Sequence, residues 1–229
     1  MKRSIVLLIS LFFIAAVSLL IMKNLEDTDL YLSEQNSKFS KTQIMFLLDN
    51  TREQIESKLK TIGGNTELSE DKQREVLKDY VGVNFPILIE DARIVMRLEE
   101  YDKCDINLLK NDKNEENFKK FLSDKNIYID ITKLKEIYDN RTIDNSKKFD
   151  SILEKFEKES YKSDIIKIKD YISFYSDSNK EQCLTKNNKE KTINLYELFV
   201  EVEYLKQFAK AYYILDKSGG VKYFEYSFK

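Results

Sequence analysis

Residues 5–22, IVLLISLFFIAAVSLLIM, contain no charge, no proline and no glycine. Lys2 and Arg3 precede this run and Lys23 follows it, and no helix stop occurs before Gly63-Gly64. Eighteen residues at helical rise extend about 27 Å, close to the ~30 Å hydrocarbon core of a bilayer. The stretch therefore predicts a transmembrane helix that continues into water. The basic residues on its leading side place residues 1–4 in the cytoplasm and everything after residue 23 across the membrane. A cleavable secretory signal is the alternative, with its apolar region at Ile5–Ile14 and Ala16-Val17-Ser18 as a small-x-small cleavage site. The mature chain would then begin Leu19-Leu20-Ile21-Met22, an apolar tail with no evident use.

Beyond the span, Leu25, Leu32, Phe39 and Phe46 recur every seven residues. Ile44, Leu48, Ile55, Leu59 and Ile62 follow at steps of four, seven, four and three. These spacings predict one apolar stripe along a helix, with Glu34, Lys41, Arg52 and Lys60 on the other face. The stripe needs a partner, either the protein's own sheet or neighbouring helices. Gly63-Gly64-Asn65 is the expected end, since glycine readily takes the left-handed cap.

The rest of the chain alternates between two kinds of pattern. Residues 70–80 predict a short helix, and Ile87–Ile89 with Ala92–Leu98 a strand pair, the second showing the period of two of a half-buried strand. From about residue 101 to 163, Asn, Lys, Asp and Glu crowd the sequence and helical spacing takes over. Phe118, Phe121 and Leu122 mark one helix; Phe149, Ile152, Leu153 and Phe156 mark a stronger one. Ile127, Ile129 and Ile131 alternate between them, and alternation returns with Ile166, Ile168, Ile172 and Phe174. A polar loop, 176–192, follows. Residues 198–215 fit helix and strand alike, but Asp216-Lys217-Ser218-Gly219-Gly220 reads as a turn before a Val-, Tyr- and Phe-rich final strand, Val221–Phe228. A hairpin needs a strand on its near side, so Phe208–Leu215 is expected to be extended.

Composition narrows the chemistry. The 38 Lys and Arg oppose 40 Asp and Glu; without Lys2, Arg3 and Lys23 the body has 35 against 40, a net charge of −5. Signs are mixed throughout, which predicts a solvated surface and no direct nucleic-acid binding. Histidine is absent, which removes the commonest general base and metal ligand. No catalytic residue, cofactor site or metal site is predicted. Asp112-x-Asn114-x-Glu116 imitates the opening of a calcium loop, but the central glycine is missing and Ser123 stands where the bidentate glutamate belongs, so a solvated acidic loop is expected. Cys104 and Cys183 both fall in the body expected outside the cytoplasm. There they would either pair as a disulfide or remain two thiols in polar loops.

A basic start, an immediate apolar helix, its long amphipathic continuation and a C-terminal antiparallel sheet resemble a type IV pilin-like protein. The resemblance is greatest to the K-type minor pseudopilins of general (type II) secretion and of DNA-uptake (competence) systems. It is carried by Lys2-Arg3-Ser4 before the apolar run, the helix to Leu59, the helical stretch within the sheet region and the ending FAKAYYILDKSGGVKYFEYSF. It implies an α+β fold in which a membrane-anchored helix packs on the sheet. The implied organisation is a tail at 1–4, a membrane helix at 5–22, periplasmic helix and first strands at 23–100, a mainly helical insertion at 101–163, and the remaining sheet at 164–229. Ser4 and Ile5 flank the processing point the family would use, although Ser4 stands where its members usually have glycine. Ile9 then occupies the position where most pilins carry a glutamate that K-type members typically lack. In pilin fibres that glutamate pairs with a neighbour's terminal amine, so a subunit with Ile9 would suit the tip. The resemblance implies a non-enzymatic inner-membrane subunit, with its body in the periplasm, that initiates or caps a short fibre. Its partners would be other minor pseudopilins and membrane assembly proteins. A non-polymerising bitopic envelope scaffold or binding protein is the alternative.

Overall fold

The computed structural model describes residues 2–63, 75–139, 141–160, 165–175 and 195–229, with the side chains of residues 2–11, 63, 165 and 166 left aside. The architecture is α+β: a long N-terminal helix and a C-terminal antiparallel sheet. Helix α1 runs without interruption over Lys2–Gly63, about 93 Å at 1.5 Å per residue. Among the described residues no helix is long and apolar enough to cross a membrane. The expected span at 5–22 falls partly on residues whose side chains lie outside the description.

Five strands form the main sheet: β1 (Asn84–Ile89), β2 (Ala92–Glu100), β5 (Leu195–Tyr204), β6 (Gln207–Asp216) and β7 (Val221–Phe228). They lie in the order β1-β2-β5-β6-β7, every neighbour antiparallel. Because side chains alternate across a pleated strand, the sheet has two distinct faces. One carries Ile94, Leu98, Leu198, Val200, Val202, Ala209, Ala211, Tyr213 and Leu215, and the last two-fifths of α1 covers it with Ile44, Leu48 and Leu59. Burying each of these α1 side chains stabilises the fold by roughly 1.5–3 kcal/mol. Ser40 and Thr51 are also buried on this side of α1, and each donates its hydroxyl to a carbonyl one turn back, Asn36 O and Leu47 O.

The opposite face of the sheet carries Glu197, Phe199, Tyr212, Ile214 and Tyr223, and a helical layer packs there. It is built from two short 3-10 turns (Ile106–Lys110 and Asp112–Asn114), α2 (Glu115–Asp124), α3 (Ile131–Tyr138), α4 (Ser146–Ser160) and a helical turn at Ile165–Ile168. A two-stranded parallel pair, β3 (Cys104–Asp105) with β4 (Ile172–Ser173), ties its two ends together. Its core includes Leu109, Phe118, Leu122, Leu134, Tyr138, Leu153 and Phe156. Asn107 is its polar hub. Its side-chain amide donates to Asp105 Oδ1 (2.8 Å) and to the carbonyls of Ile143 (2.9 Å) and Phe174 (3.2 Å). Its carbonyl oxygen accepts from Tyr138 OH and Ile143 N, both at 3.0 Å. One side chain thus joins β3, the end of α3, the loop at Ile143 and the chain just after β4.

Several sequence expectations need correction. The stripe expected along α1 is two stripes: Ile44 is fully buried while Phe39 and Phe46 are 54% and 61% exposed. Two residues turn a helix by about 200°, so Ile44 and Phe46 point to opposite sides. Within the helical insertion, Ile127 and Ile131 fill the core and Ile131 opens α3. At 166–174 the alternation resolves into the turn Ile165–Ile168 and the two-residue β4, and Ile168, Ile172 and Phe174 pack into the helical layer instead of the main sheet. The ambiguous 198–215 stretch is two strands, including the expected one at Phe208–Leu215. They are joined by Leu205-Lys206, both with positive φ (+46° and +66°). Of the expected helix at 70–80, residues 75–78 are helical and 70–74 lie outside the description, as do Gly64-Asn65 and the 176–192 loop.

Candidate functional site

Three regions have features a function would use, and the first is the free part of α1. Phe12, Phe13, Ile14, Leu19, Leu20, Ile21 and Met22 are all exposed, and Leu25, Leu32, Phe39 and Phe46 continue the exposure toward the body. Among the described residues no other element covers them. Soluble proteins seldom leave so large a contiguous apolar surface in water. Between them the helix is set with charges, including the i,i+4 pair Glu34–Lys38 at 2.7 Å. Lys38 holds the Glu34 carboxyl below its ordinary range by hydrogen bond and by charge.

The second region lies where the sheet meets the helical layer. Glu197 on β5 is 1% exposed, and Lys103 Nζ reaches its Oε1 at 2.7 Å. Tyr212 OH on β6 donates to the same oxygen at 2.5 Å. Burial, and then the Glu197 charge, push the Tyr212 phenol well above its ordinary range. Tyr101 is pushed up in the same way, with burial the leading cause, and its hydroxyl donates to Tyr175 O. Removing Lys103 would leave a buried carboxylate unneutralised, a change that typically costs about 3–5 kcal/mol. Beside this cluster a groove of about 890 Å³ opens between the sheet and the start of α4. Arg97, Phe199, Glu201, Lys210 and Glu225 form its floor, with Lys147 and Asp150 at its rim. Its charges are largely satisfied internally: Arg97 meets Glu99 at 3.2 Å and lies over the Phe199 ring, Lys210 pairs with Glu201, and Asp150 meets Lys169 at 2.6 Å. The groove therefore has a mixed, neutralised lining with no convergent set of one sign. Neither Glu197 nor the groove is signalled by the sequence, because their members come from separate strands and helices that only the fold brings together.

The third region is the acidic stretch. Lys135 pairs with Asp112 and lies 3.4 Å from Glu115 Oε2, so the protein's own ammonium occupies the place a cation would take. Lys135 also draws the Asp112 carboxyl below its ordinary range. Asn114 is turned inward and donates to Leu108 O at 3.2 Å, which removes it from any ligand set with Asp112 and Glu116. Among the described residues no three acidic or cysteine side chains converge as a metal site would require.

Of the other residues singled out from the sequence, Ser4, Ile5 and Ile9 lie on the helical backbone of α1, with side chains outside the description. Cys104 opens β3, is fully buried and is disulfide-bonded. Cys183 lies outside the described residues. No protein-family model, curated protein or solved structure matches this chain.

Proposed function

We propose that this protein is a membrane-anchored, non-enzymatic subunit of the minor pseudopilin kind, initiating or capping a short envelope fibre for secretion or DNA uptake. The observation that carries the reading is the division of α1. Its last part is committed to the sheet, while the part from Phe12 to Met22 carries exposed apolar side chains that only a non-aqueous neighbour would satisfy. The intact apolar run at 5–22 supports a bilayer as that neighbour, with Lys2 and Arg3 setting the orientation. The helical layer inserted between β2 and β5 of the main sheet supports the K-type resemblance. Ile9 adds the tip position, since a carboxylate buried in the bilayer is stable only when paired and this chain offers none there.

Protease added to spheroplasts should digest the body of the protein. Protection until the membrane is lysed would overturn the topology. N-terminal sequencing should find Ile5 as the first residue of the mature protein, and an intact Met1 would remove pilin-type processing. Copy number in cross-linked envelopes separates the two roles: a scarce subunit bound to other minor subunits fits the tip, and an abundant, evenly spaced one does not. A single-span protein that never joins a fibre would be the bitopic scaffold instead.

A further inference from the structure

We draw no further inference here: the strongest candidate, the outer edge of β7 with its exposed Phe224 and Tyr226, pairs with no strand among the described residues, and nothing in the structure shows what covers it.

Discussion

Gly219 is the point where the β6–β7 turn touches the long helix. Its φ is +84°, and a Cβ there would lie 2.6 Å from Glu56 O and 2.9 Å from Glu56 Cα. The obstacle is backbone, which cannot swing aside as a side-chain end would. Gly219→Ala therefore combines left-handed strain with a clash against α1, and should cost at least about 2 kcal/mol. Chemical denaturation would measure it, and an unchanged midpoint would show that the turn is not seated on the helix. In the same turn, Asp216 Oδ1 accepts from Ser218 N (2.9 Å), Ser218 Oγ (2.6 Å) and Gly220 N (2.8 Å), and Lys222 lies 2.9 Å from Oδ2. Burial alone would raise this carboxyl, but those bonds outweigh it and hold the group at about 2. Its folded value lies below the unfolded value near 3.9, so its contribution is complete above about pH 4 and is lost as pH falls through 2. After solvent screening that contribution is of order 1–2 kcal/mol. Asp216→Asn should flatten the fall of Tm between pH 4 and 2. An acid limb as steep as that of the wild type would mean that another carboxylate controls it.

At the scale of elements, α1 bears two faces with different tasks. Leu48 and Leu59 are each 1% exposed beneath the helix, whereas Phe39 and Phe46 point away from the sheet. Leu48→Ala should cost about 2–5 kcal/mol, because the site keeps a cavity and loses transfer energy. Leu48→Asp should unfold the body outright. Phe46→Ser should leave stability within about 0.5 kcal/mol, as surface changes away from such contacts usually do. Equal sensitivity at both positions would show that the outer face is also covered within a single chain.

For the whole molecule, Cys104 lies where the chain leaves β2 of the main sheet for the helical layer. It sits fully buried at the start of β3, and Cys183 is the chain's one other cysteine. A Cys104–Cys183 bridge would close a loop worth about 4–5 kcal/mol in the chain-entropy account. Mass analysis of unreduced, alkylated protein should find neither cysteine labelled, and reduction should lower the melting temperature. Two labelled thiols would end the pairing.

What the sequence determined by itself is everything set by local period. The uninterrupted helix to Gly63, the β1–β2 pair, the helical character of 106–160 and the turn at 216–220 all follow from spacing and turn residues within a short window. Period could not say which face meets what. Leu32 and Leu48 are equally apolar, and only the position of β5 and β6 decides that one is buried and the other is left bare. Nor could it reveal that Ile168 and Ile172 serve a helical core, since alternation over a few residues fits either state. The buried Glu197–Lys103–Tyr212 cluster depends on strand order and register, which bring together residues far apart in the chain. Those are relations between elements, and no property of one segment encodes them until the chain has packed.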